Sequence, residues 1–168
     1  MKMSANAYVR LGFGLGVALA MQGGSATAQE RLTDLMMGVT GYAVSGEFED
    51  VVFNLETAIV NRGLVIDYVS HVGEMLDRTG ADVGAGTKVF LNAQTNLFCS
   101  SVLSRAVMEA DASAIAYCPY SIFAYETADE PGKVVVGYRP LPLTGASAEA
   151  AQAVNDLLEE IALEAVAE

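Results

Sequence analysis

The sequence feature that most constrains the fold is a pair of strand-like segments separated by a tight-turn sequence. Tyr120 to Thr127 and Lys133 to Tyr138 are rich in β-branched and aromatic residues. Between them lies Asp129-Glu130-Pro131-Gly132, in which proline pre-sets its own φ and glycine accepts a positive one. The pattern predicts a β-hairpin, and therefore an antiparallel sheet in this half of the chain.

The other periodicities predict helices that cover this sheet. From residue 47 to 62 the apolar residues Phe48, Val52, Leu55 and Ile59 recur at helical spacing, and Gly63 follows as a stop signal. The further predicted elements are strands at 39–45 and 64–69, a short helix around 74–76, a loop at 80–86, a strand at the end of the ambiguous segment 88–98, a helix from Ser100 or Ser101 to Glu109, and a C-terminal helix over 147–166 that begins with Ser147 as its cap. This order predicts an α+β fold, a mostly antiparallel sheet covered by helices in a single compact domain.

The amino terminus is typical of an export signal. Lys2 and Arg10 precede an apolar run, Leu11 to Met21, and Ala26-Thr27-Ala28 is a small-x-small cleavage site. The apolar run of about 11 residues is shorter than the roughly 20 that a membrane-spanning helix needs. We therefore expect a signal peptide at 1–28, a mature domain at 29–168 without a membrane span, and a periplasmic or secreted location.

The charge of the chain excludes some classes of partner. It carries 21 Asp and Glu against 9 Lys and Arg, a formal net charge of −12. Such an excess of acid repels phosphate backbones and anionic lipid headgroups. Nucleic acid and membrane surfaces are therefore not expected partners.

Two cysteines, Cys99 and Cys118, flank the predicted helix that begins near Ser100. In an oxidising compartment a disulfide between them would close a loop of about 20 residues and stabilise the fold by roughly 3 kcal/mol. If instead the strands that follow and precede that helix were parallel, its length of about 10 residues would separate the cysteines by about 15 Å, whereas a disulfide needs Cα atoms within about 7 Å. Pairing, two separate thiols and a functional thiol all stay open at this point.

A functional thiol would have a definite chemistry here. Cys99 precedes a predicted helix start, where unpaired amide groups favour the thiolate. Cys118, His71, which is the single histidine, and a methionine such as Met75 or Met108 are the other ligands available, and this set would suit copper(I) better than zinc. The chain has no C-x-x-C motif and no paired histidines.

Several segments resemble a known family. They are Phe98-Cys99-Ser100 after a strand, Ala106 to Asp111 closing the next helix, Pro119 entering the strand that ends in Tyr125-Glu126, and Val134 to Tyr138 as its hairpin partner. In these the chain is similar to domain-of-unknown-function family 302, over about residues 39–142. Ser100-Ser101 stands where that family commonly has Asn-Pro. The resemblance implies a small α+β domain and implies no particular activity.

Two functional hypotheses follow. The first is a non-enzymatic periplasmic module that binds a small ligand or a protein, including a second copy of itself as a homodimer. Its site would lie on the face that carries the cysteines and several strand tyrosines, with Cys99, Cys118, Ser100, Arg105 and Tyr120 as candidate residues. The alternative is thiol redox or soft-metal chemistry at Cys99 and Cys118. No sequence motif identifies a cofactor or a catalytic residue.

Overall fold

The strands form one sheet in which every neighbouring pair is antiparallel. In this computed structural model residues 29–33 and 35–167 are described, and the predicted signal peptide at 1–28 lies outside them. The strands are β1 (Glu30–Arg31), β2 (Thr40–Ser45), β3 (Val65–Ser70), β4 (Phe90–Cys99), β5 (Tyr120–Thr127) and β6 (Lys133–Tyr138). Their order in the sheet is β1-β2-β6-β5-β4-β3. The predicted hairpin is β5 and β6, and the predicted α+β fold is confirmed.

Three helices bury one face of this sheet. The described residues form four α-helices in all, α1 (Phe48–Asn61), α2 (Val72–Thr79), α3 (Ser101–Ala110) and α4 (Ala148–Ala165). Side chains of α1, α3 and α4 share one core with the inward residues of β2, β4, β5 and β6. Because side chains alternate along a strand, this face takes every second residue, such as Tyr120, Ile122 and Ala124 of β5. The core is therefore a layer between one face of the sheet and three helices.

Local sequence explains where the helices begin and end. Glu49 and Asp50 lie in the first turn of α1, where acidic side chains favour the helix dipole, and the helix ends before Gly63, which has a φ of +72°. Ser100 caps α3 as predicted, since its hydroxyl accepts a hydrogen bond from the Leu103 amide at 3.3 Å. Ser147 directly precedes α4 as predicted, but its side chain does not cap the helix, because its hydroxyl donates to the Thr144 carbonyl oxygen instead.

Two strand interpretations needed revision. The strand predicted at the end of the ambiguous segment 88–98 is confirmed, but it is longer than expected, since β4 begins at Phe90 and pairs with β5 along its length. The parallel arrangement considered for the strands on either side of α3 was wrong. They are adjacent and antiparallel, with Phe98 opposite Tyr120. The connection through α3 and a 3-10 helix at Ala112–Tyr117 therefore returns the chain to its starting point.

The second face of the sheet carries a tight aromatic contact over a glycine. A Cβ added to Gly137, in the central strand β6, would lie 2.5 Å from Phe123 Cζ and 2.5 Å from the Thr40 backbone oxygen. Phe123 in turn stacks on Tyr125, with ring centroids 5.9 Å apart. The absence of a side chain at residue 137 thus allows the aromatic ring to lie flat on the sheet.

We predict that Gly137→Ala destabilises the protein by about 2 kcal/mol, because the new methyl group meets backbone that a central strand holds in place. Urea denaturation of the variant and the wild type measures the difference. Gly86→Ala is the matched control, since a Cβ at that position meets nothing within 4 Å. Equal effects of the two substitutions would contradict this account of the β6 packing.

Candidate functional site

The two cysteines form a disulfide at the end of β4. Cys99 is the last residue of β4, and Cys118 lies two residues before β5. Their Cα atoms are 6.4 Å apart, within the range that a disulfide bridges. The antiparallel arrangement of β4 and β5 brings the two cysteines together. Of the three alternatives left open by the sequence, the structure therefore supports a disulfide.

Ser100 and Tyr120, two more of the predicted site residues, lie beside the disulfide. Ser100 caps α3, and Tyr120 is buried in the core with its ring edge-on to Phe98 at a centroid distance of 6.2 Å. Ser104 was missed by the sequence analysis. Its hydroxyl donates to the Tyr120 hydroxyl oxygen at 2.8 Å and lies 3.7 Å from Cys118 Sγ. Burial raises the pKa of Tyr120 above its usual value, so this phenol stays neutral.

Arg105 and His71 lie apart from this group. The Arg105 side chain is 76% exposed and pairs with Glu109 one helical turn away, at 3.6 Å. His71 follows β3 at the end opposite Cys99, because Val65 pairs with Cys99 and Ser70 with Thr95. Six residues of strand separate the two ends by about 20 Å. Cys99, Cys118 and His71 therefore do not converge, and within residues 29–33 and 35–167 no three His, Cys, Asp or Glu side chains could jointly hold a metal ion.

A cleft that combines polar and apolar side chains lies at the other half of β4. β3 pairs only with residues 95–99 of β4, and α2 lies beside the first half of that strand instead. The approach is close, since a Cβ on Gly73 would lie 2.9 Å from the Ala93 backbone nitrogen. This leaves a cleft of about 390 Å³ between α1, α2 and β4, which we call the α1–α2 cleft. Its volume is at the lower end of the range for small-molecule sites.

A row of amide side chains on β4 begins in the α1–α2 cleft, which Asn92 and Gln94 line, and continues into the core at Asn96. Asn92, Gln94 and Asn96 alternate along β4 on the face that, at Phe98, belongs to the apolar core. Asn96 is fully buried and Gln94 is 8% exposed. Buried polar side chains reduce stability unless they are hydrogen-bonded, so each of them needs a partner.

A carboxylate from α1 supplies that partner. The Asn96 amide donates to Glu56 Oε1 at 3.2 Å, and the Gln94 amide donates to the same oxygen at 3.4 Å and to Asn96 Oδ1 at 2.9 Å. Farther along β4, the Asn92 amide donates to Glu126 at 2.9 Å, and Glu126 accepts a second bond from the Gly132 amide at 2.7 Å. Glu56 is thus held in one orientation at the inner end of the cleft.

The walls of the α1–α2 cleft combine apolar and acidic side chains. The apolar ones are Phe48, Val52, Phe53 and Leu91, and the acidic ones besides Glu56 are Glu49, Glu74 and Asp77. His71 also lies on its rim. Phe53 is 68% exposed although it is a large aromatic residue. The sequence signal for this site was the alternation of amides at residues 92, 94 and 96, which is unusual in a strand whose same face continues into the core.

The chain is thus a small α+β domain, in which helices cover one face of an antiparallel sheet. A family model described as "Domain of unknown function DUF302" matches residues 41–166, three quarters of the chain. The chain belongs to this family, as the resemblance indicated, and the match includes α4. No functionally curated protein matches the chain significantly.

A solved structure has the same fold. It is the crystal structure of an uncharacterized conserved DUF302 protein from Bacillus stearothermophilus, with a TM-score of 0.63 and 16% sequence identity. The similarity covers 77% of this chain and 99% of that one. In the described part of the present chain, no helix is long and apolar enough to cross a membrane.

We predict that the Cys99→Ser/Cys118→Ser variant unfolds with a free energy about 3 kcal/mol below that of the wild type, because the unfolded chain gains the entropy that the disulfide removes. Urea denaturation measures the loss. Wild-type protein treated with a reducing agent is the control and should match the variant. Unchanged midpoints after both treatments would contradict a stabilising disulfide.

Proposed function

We propose that this protein is an exported, non-enzymatic module that binds a small molecule in the α1–α2 cleft. The observation that carries the proposal is the row of buried amides on β4, since apolar residues at Gln94 and Asn96 would extend the core without needing partners. A few polar groups placed among apolar side chains are the usual way in which a pocket orients its ligand.

Export is part of this proposal. Its support is the signal-like amino terminus, with the Cys99–Cys118 disulfide as a second argument. Disulfides persist in oxidising compartments such as the periplasm and are rare where thiols are kept reduced. Intact mass before and after reduction and alkylation, on protein recovered from the exporting host, tests the cleavage after Ala28 and the pairing together.

We assign the disulfide a structural role rather than a redox or copper-binding one. Ser104 of α3 donates to the Tyr120 hydroxyl oxygen and lies 3.7 Å from Cys118 Sγ, so it joins this helix to the start of β5, and Ser100 caps the same helix. His71, the imidazole that a soft-metal site would need, lies at the rim of the α1–α2 cleft instead. These placements favour the binding hypothesis and move its site away from the cysteines.

We predict that small six-carbon probes bind in the α1–α2 cleft. ¹⁵N-labelled protein is titrated with hexylamine, hexan-1-ol and hexanoate, and at least one of them is expected to shift the amide signals of Gly73 and Ala93. These two residues are chosen because their backbones line the contact between α2 and β4. A probe of this size is expected to bind with a Kd of about 1 mM.

Val52→Trp is expected to abolish these shifts, because the larger ring fills the cleft that Val52 lines. Val60→Trp is its matched control, since Val60 is an exposed valine on the same helix outside the cleft. If none of the three probes shifts Gly73 and Ala93, or if the shifts persist in Val52→Trp, the proposed function is overturned. A protein-interaction role would then be tested by sedimentation, which also reports a homodimer.

A further inference from the structure

We propose that the ligand of the α1–α2 cleft is a small organic cation, an ammonium group carried on an apolar stem. This inference rests on the proposed function and specifies its ligand class. Three features of the cleft lead to it: the sign of its charges, the fixed carboxylate at its base and the exposed aromatic ring on its wall.

The charges that line the cleft are of one sign. Four carboxylates and no Lys or Arg lie among its lining residues. Asp77 has a counter-ion, since its carboxylate lies 2.9 Å from Lys88 Nζ. Glu49, Glu56 and Glu74 form no ion pair with any Lys or Arg in the described part of the chain. An anionic ligand would be repelled here, whereas a cation would supply the missing counter-charge.

Glu56 is the carboxylate that is placed to receive this cation. Both amide donors, from Asn96 and Gln94, bond to Oε1. No hydrogen bond from a described residue occupies Oε2, which leaves this atom for a ligand. A charged ammonium that donates to a fixed carboxylate forms a stronger hydrogen bond than a neutral donor does.

The apolar wall selects an organic cation over a metal ion. Phe53 and Phe48 lie on the α1 side of the cleft, and Leu91 lies on β4. Aromatic faces attract ammonium groups, and apolar side chains cover a hydrocarbon stem. A hard divalent cation would instead need about six oxygen ligands, and in the described residues no group of three His, Cys, Asp or Glu is arranged to hold a metal.

The proposal is tested by isothermal titration of hexylamine, hexan-1-ol and hexanoate, which share a stem and differ in charge. Hexylamine is expected to bind at least about tenfold more tightly than hexan-1-ol, with hexanoate weakest, and its affinity should fall with added salt. Equal binding of all three probes would overturn the cation assignment and leave the proposed function standing. Binding of none would overturn the proposed function itself.

Substitutions test whether Glu56 is the residue that binds the ammonium group. Glu56→Gln keeps an oxygen acceptor for Asn96 and Gln94. It is expected to weaken hexylamine binding about tenfold and to leave the affinity for hexan-1-ol unchanged. Glu149→Gln, at an exposed glutamate in the first turn of α4, is the matched control and should change neither. If Glu56→Gln does not fold, Glu74→Gln on the exposed rim should show a smaller loss in the same direction. Hexylamine affinities that match the wild type in both cleft variants would overturn the proposal.

Discussion

The antiparallel pairing of β4 with β5 is the constraint on which the rest of the structure depends. It runs from Phe90 opposite Thr127 to Phe98 opposite Tyr120. At one end it brings Cys99 and Cys118 within disulfide distance. At the other end β4 extends beyond its second neighbour, β3, and α2 occupies that place. The disulfide therefore follows from the pairing of β4 with β5, and the cleft follows from the extension of β4 beyond β3.

Along β4 the side chains that face the helices change from apolar, in the core, to polar, beside Glu56. Phe98 is fully buried among apolar side chains, whereas Asn96 and Gln94 bond to Glu56. A core of this size would be at least as stable with aliphatic residues at these two places, because each buried amide must recover its lost hydration through hydrogen bonds. Local departures from the most stable packing are expected at functional sites. This contrast within one strand is the reason for placing the ligand site here.

The sequence predicted those elements that local patterns determine. The hairpin at β5 and β6, the helix α1 with its stop at Gly63, and the Ser100 cap depend on residues close in the chain, and the structure has each of them. The cysteine pairing and the α1–α2 cleft depend on which strands become neighbours. Residues 56 and 96 are far apart in sequence, so no periodicity within either segment indicates their hydrogen bond. The alternating amides of β4 were visible, but their meaning required the position of α1.

The central claim is that the buried amides of β4 serve binding rather than folding, and its most direct test is the Gln94→Met/Asn96→Leu variant. Removing both amides together leaves no unpaired partner between them, and half-exposed Glu56 can be hydrated from the cleft. The account predicts a free energy of unfolding no more than about 1 kcal/mol below that of the wild type, together with weaker hexylamine binding, because Glu56 is no longer held in place. A variant that binds hexylamine like the wild type, or that loses several kcal/mol of stability, would contradict it.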